Sequence, residues 1–250
     1  MHFLFSGEGA SDCGTCTFDD RVCEGKEFLA GPMVNLACQI VEAEAGYSPL
    51  GSLCCALVKR AALNAEVADL KGQKKRLRLS GHRSPKETLY FERSARAMAR
   101  WAKRWEEEKH DEVVAILFHD VDTNNSSGRG EWNAKWDAML LGFRHESFSR
   151  GVPMIPKPTS EAWILCALKS NPYERCQALE ERSGSPKAKS PLKLELKALL
   201  GEKPTREMLC RLVEEGRIDS GKIDMPSFNA FRDRLKEVMR GIGTNGVKGA

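Results

Sequence analysis

Val113–Asp122 reads VVAILFHDVD. Six apolar residues, several of them β-branched, end at charge, the pattern of a strand buried on both faces that runs out into an open edge. Asp120 and Asp122 lie two apart, and the TNNSSG segment of residues 123–128 turns the chain into a loop directly after them. Both carboxylates are therefore placed to face one bound cation. A hard divalent ion such as Mg²⁺ takes one or two carboxylates together with water and phosphate oxygens. The alternative is an acidic strand end that caps the next helix or stays solvated.

A second strand end of the same kind opens the chain. The apolar run HFLFS at residues 2–6 breaks at once into Gly7-Glu8-Gly9-Ala10-Ser11-Asp12. If the two strands are parallel neighbours, Glu8, Asp120 and Asp122 meet at the carboxyl edge, where open α/β sheets carry their sites. Gly7 and Gly9 would let a phosphate or metal approach the backbone. Asp12 either adds a carboxylate or caps the following helix. Taken alone, Glu8 is a turn glutamate.

The 250 residues suffice for one substantial core, and 41% apolar with 30% charged residues belongs to the soluble globular class. No run approaches the ~18 apolar residues of a membrane helix, and Met1–Phe5 lacks the flank and length of a signal peptide, so a cytoplasmic location is expected. The nine cysteines fall mostly in apolar segments, which predicts reduced core thiols; Cys13, Cys16 and Cys23 form a smaller candidate zinc or redox set.

The net charge of +4 is unevenly spread. Between Lys71 and Arg104 stand twelve basic residues against Glu87 and Glu92, a local charge of +10. Such a surface suits a polyanion, the alternative being a solvated helix face. Lys71–Gly81 reads as a basic loop or edge strand, and Ser84-Pro85 opens a helix to about Lys109. On that helix Phe91, Ala95, Met98, Ala102 and Trp105 make a core stripe, while Arg93, Arg96, Arg100 and Arg104 line another face.

Further helices are expected over 32–45, 132–142, from Thr159 or Ser160 onward, and over 192–200, 204–215 and 226–240. Residues 10–31 read as an irregular active-site loop. Residues 53–70 form either a strand and a helix or one interrupted helix. Glu161 sits in a first helical turn, where the dipole favours it; it also serves as a further carboxylate for a metal site. Residues 1–170 make the core with the basic helix as an insertion, 171–240 a helical extension completing it, and 241–250 a mobile tail.

The ordered set of strand–GEGxSD, strand–HDVD and PTSEAW opening a helix resembles the Toprim fold. It is most similar to Toprim-like bacterial proteins of the DUF4276 class and to the nuclease half of the OLD (overcoming lysogenization defect) family. The former share the EAW run and a late PSFxxF, here Pro226–Phe231. The resemblance touches residues 2–12, 113–125, 156–166 and 226–231. It implies a Rossmann-like α/β fold with a mostly parallel sheet flanked by helices and a helical C-terminal extension.

Carried onto this chain, the resemblance makes Glu8 a metal ligand or general acid/base. It makes Asp12, Asp120 and Asp122 metal ligands, and sets Thr159 and Glu161 at a second Mg²⁺ or Mn²⁺ ion. A lysine near the site is Lys193 or Lys187. The activity implied is metal-dependent phosphodiester hydrolysis by two ions. Lys74, Lys75, Arg76, Arg83, Arg93, Arg96, Arg100 and Lys187 would hold the phosphate backbone of DNA or RNA, tRNA included, without reading bases. No GxxxxGK[ST] occurs, so an ATPase partner would be a separate polypeptide. Competing expectations are a non-catalytic subunit binding nucleic acid or an ATPase, and a nucleotide-hydrolysing or primase-like enzyme. The oligomeric state is left open.

Overall fold

The computed structural model describes residues 1–73, 86–121, 130–170 and 176–245. Its centre is a five-stranded sheet built on two apolar runs, β1 (His2–Gly7) and β6 (Val113–Phe118). They pair in parallel from His2 opposite Val113 to Gly7 opposite Phe118. All six residues of β6 are buried, as a central strand covered on both faces requires. A Cβ on Gly7 would stand 2.4 Å from the Phe118 carbonyl oxygen, so only glycine permits this approach at the strand ends.

Around this pair lie β5 (Cys55–Val58) beside β1 and β7 (Gly151–Met154) beside β6, both parallel, with β3 (Val22–Glu24) antiparallel on the outer edge of β5. The order is β3-β5-β1-β6-β7. From β1 the chain winds outward to β5, then crosses back over β1 to β6, so the winding reverses between β1 and β6. That reversal opens a crevice at the carboxyl ends of these two strands.

Successive strand residues alternate between two cores. Phe3, Phe5, Leu57, Ile116 and Phe118 face α2 (Pro32–Ala45), α6 (Ser160–Ala167) and α10 (Pro226–Asn245). Leu4, Val58, Ala115 and Leu117 face α3 (Arg60–Gln73), α4 (Lys86–Lys109) and α5 (Gly130–His145). The expected stripe of α4 is buried from Phe91 to Trp105. Helix α2 begins at Pro32 and ends where Gly46, at φ 74°, donates its N–H to Glu42.

The shorter helices α7 (Cys176–Glu180), α8 (Leu192–Leu200) and α9 (Arg206–Glu214) complete the first core. Gln39 on α2 ties this end of the chain down through hydrogen bonds with Val213, Ile218 and Ser220. Among the described residues no helix is long and apolar enough to cross a membrane.

Four expectations are corrected. Residues 10–31 are not an irregular loop: they hold the short α1 (Ala10–Cys13), a hairpin of β2 (Gly14–Cys16) with β4 (Phe28–Ala30), and β3. Strands of three residues are too short to show a period. The cysteines are not all reduced, since Cys16 joins Cys23 and Cys166 joins Cys176. The Cys16–Cys23 bond leaves the buried Cys13 as the one free thiol of the candidate zinc or redox set. Finally, α10 continues through Gly241 to Asn245, so helix extends into the segment read as a tail. Residues 53–70 resolve as β5 followed by α3.

Candidate functional site

The site grows from the two strand ends. Glu8 follows β1 and His119 follows β6, so the Gly7–Phe118 register sets them side by side. His119 Nδ1 lies 2.7 Å from Glu8 Oε1 and 2.6 Å from the Asp120 carbonyl oxygen. Its alignment is on the carbonyl, and the Oε1 contact is a charge approach without a well-aligned hydrogen bond. Arg60, opening α3, donates from Nη1 to Glu8 Oε2 at 3.1 Å. Burial pushes the Glu8 pKa up, but His119 and Arg60 outweigh it and hold the carboxyl below its ordinary range.

The second group is drawn together by Ser160. Beyond β6 the chain continues beside the segment after β7, with His119 N–H donating to Met154 and Val121 N–H to Pro156. Asp120 is thereby carried to the start of α6, where its Oδ1 accepts the Ser160 N–H at 3.0 Å. The side chain of Thr159, at the N-cap position, makes no cap hydrogen bond, and Asp120 satisfies one of the first-turn donors instead. Ser160 Oγ in turn donates to Asp12 Oδ1 at 2.6 Å, and Ser11 Oγ reaches Asp12 Oδ2 at 3.0 Å. One serine thus binds carboxylates from two strand ends.

Glu161, next in α6, stands 3.5 Å from Lys193 Nζ at the start of α8. Its other oxygen, Oε2, is buried with no hydrogen-bond partner among the described residues. The Glu161 carboxylate raises the Lys193 pKa against the opposing pull of burial, with Asp12 and Asp120 adding to it. Lys193 is 72% exposed, so the pair contributes little to stability and matters as placed charge. Burial raises the Asp12 pKa; the two serine hydrogen bonds pull it down, the Glu161 charge pushes it up and Lys193 lowers it. Burial, helped by the charges of Asp12, Asp120 and Glu8, lifts the Cys13 thiol well above its usual value.

Three carboxylates around one exposed ammonium, with an orphaned buried oxygen among them, have the donor chemistry of a hard divalent cation. Among the described residues no three metal-ligating side chains are close enough to enclose an ion by themselves. Glu8, Asp12, Asp120, Glu161 and Lys193 are brought to one edge, Thr159 is buried beside them, and Asp122 lies outside the described residues.

The proposed phosphate-binding residues fare differently. Lys74, Lys75, Arg76 and Arg83 lie outside the described residues. Arg96 binds Glu146 at 2.6 Å, and Arg100 reaches Glu146 at 3.1 Å and Glu66 at 3.5 Å. Arg104 adds a 2.8 Å contact to Glu66. Arg93 is half-buried, and Lys187 is exposed on the loop whose Gly184 rests against Pro158 and Thr159.

Sequence reasoning missed Arg60, His119 and the role of Ser160. The histidine stands inside HDVD and the serine beside the expected threonine, so their positions were visible; nothing in the spacing marks Arg60. No family model, curated protein or solved structure matches this chain.

Proposed function

We propose that this protein is a Mg²⁺- or Mn²⁺-dependent nuclease that hydrolyses phosphodiester bonds of DNA or RNA in the cytoplasm. The observation that carries this reading is the convergence of Asp12 and Asp120 on Ser160 at the crevice between β1 and β6, with the next residue, Glu161, holding a buried Oε2 that has no hydrogen-bond partner among the described residues. When bound, divalent cations would activate water and stabilise the leaving oxygen of an in-line displacement. Asp12, Asp120 and Glu161 would hold them, two ions being the expectation from the Toprim resemblance.

The chain's own residues do the positioning. Ser160 fixes the aspartates through its N–H and hydroxyl, so neither has to reorganise when the phosphate arrives. Lys193 offers an exposed ammonium to a non-bridging phosphate oxygen. Glu8, held ionised below its ordinary range, is a weak base and better suited to orient His119 or a metal-bound ligand than to take a proton. The resemblance to OLD-type nucleases extends the proposal to an antiphage or mobile-element defence effector that works with a separate ATPase.

The test is cleavage of DNA, tRNA and other RNAs with Mg²⁺ or Mn²⁺ by wild type, Glu8→Ala and Asp120→Ala. Metal-dependent cleavage by wild type alone is expected, together with a Mn²⁺-induced rise in Tm that Asp120→Ala loses. Equal cleavage by all three proteins ends the assignment. Nucleic-acid binding without turnover by wild type would identify a binding subunit instead.

A further inference from the structure

Flanking Glu8 is a cavity of about 410 Å³, bordered by the glycines on either side of that residue. This lies within the ~300–1,000 Å³ range of small-molecule sites. Ala10, Cys13 and Leu57 give it apolar walls, and Lys59 and Arg60, at the passage from β5 into α3, are the only charged side chains lining it among the described residues. Among those residues its lining holds cations and no carboxylate, which favours an anion with an apolar body.

Both cations are available. Lys59 Nζ rests on the Phe18 carbonyl at 2.7 Å and on Asp19 at 3.0 Å, and the Asp19 side chain is fully exposed, so this pair yields at small cost. Arg60 gives one N–H to Glu8 and has no other partner among the described residues. The rest of its planar fork fits phosphate oxygens. The N-terminal end of α3 adds a favourable dipole at the same wall.

We propose that this cavity binds one nucleotide unit of the substrate, its base against Ala10 and Leu57 and its phosphate on Arg60 and Lys59. The placement beside Glu8 makes it the nucleotide adjoining the phosphodiester presented to Asp12 and Asp120, a step that rests on the nuclease reading. A base enters such a pocket only when unstacked. The substrate is therefore single-stranded, or carries a flipped nucleotide at that position.

Adenosine 5′-monophosphate, adenosine and inorganic phosphate are the probes, titrated calorimetrically in EDTA so that no cleavage is needed. The nucleotide should bind wild type at least tenfold more tightly than either half, and Arg60→Gln should weaken it at least tenfold. Ala10 is exposed at the mouth, and Ala10→Trp should abolish nucleotide binding while leaving the urea midpoint unchanged. Nucleotide binding no tighter than phosphate, or unaltered by Ala10→Trp, overturns the pocket. In the cleavage arm, equal rates on single strands and blunt duplex of the same sequence overturn the substrate class. Absence of all cleavage defeats the nuclease reading, and with it the pocket's place beside a cut phosphodiester, while the calorimetric arm still decides the nucleotide site.

Discussion

At the carboxyl edge Asp12, Asp120 and Glu161 act on the exposed ammonium of Lys193. Along α4, Arg96, Arg100 and Arg104 face Glu146 and Glu66. As sequence, the three acids are scattered over distant segments, whereas the arginines repeat along one helix. Folded, they end in different conditions. The arginines turn toward acids on neighbouring elements and form a seam that fastens α4 to α3 and to the end of α5. At the carboxyl edge Glu161 keeps a buried oxygen that no donor meets among the described residues. A buried polar atom without a partner, rather than the amount of charge, marks the region that a ligand would complete.

The largest effect that tests this contrast is on turnover. Glu161→Gln should lower cleavage by about 100-fold, the scale expected when a metal-site carboxylate is lost. Arg96→Gln should leave kcat within about twofold, because its partner is Glu146 and not the reacting phosphate. Comparable losses in the two variants would erase the distinction.

The converse holds for stability. Glu146→Ala takes from Arg96 its carboxylate and from Arg100 one of its two, and should destabilise by about 2 kcal/mol, read as a lower urea midpoint at unchanged slope. The pH dependence sharpens this. Burial pushes the Glu146 pKa up, but Arg96 and Arg100 outweigh it and hold the carboxyl below its ordinary 4.5. Its stabilisation is therefore complete above that value and fades as pH falls through the lower folded value. Glu146→Gln should differ most from wild type near neutrality and converge on it in acid. A difference that grew on acidification would mean that the carboxylate is not stabilised by the arginines.

The smallest effect belongs to an exposed cation. Lys187→Ala should change stability by less than about 0.5 kcal/mol. If its loop borders the path of a phosphate backbone, nucleic-acid binding should weaken uniformly across sequences, with the salt slope reduced by ~1. An unaltered slope would show Lys187 to be only solvated.

The central pair of the sheet was legible because β1 and β6 are continuous apolar runs that break at Gly7-Glu8 and at His119-Asp120, whereas four-residue β5 could not be told from a helix segment. The convergence of Glu8 with the HDVD segment followed from strand pairing alone. The arginine face was legible as a face, but its partners Glu146 and Glu66 stand 34 (Arg100 to Glu66) to 50 residues away along the chain. No local spacing announces such pairings. The late PSFxxF run has a similar explanation. Trp163 donates to Ser227 Oγ at 2.9 Å and packs against Phe228 and Phe231 with ring centroids 5.0 and 5.9 Å away. The EAW and PSFxxF runs are thus two halves of one core contact that holds α6, and Ser160 and Glu161 with it, in place.

The close pairing of Gly7 with Phe118 bears on how this protein tolerates change. Gly7 has no side chain to ligate, protonate or donate, yet any other residue there must force apart the two strand ends that carry Glu8 and His119. A scan of all single substitutions scored by function would rank Gly7 beside the carboxylates. Scored by abundance, the same scan would tell them apart: Gly7 variants should be lost from the folded pool, and Asp120 variants should remain in it.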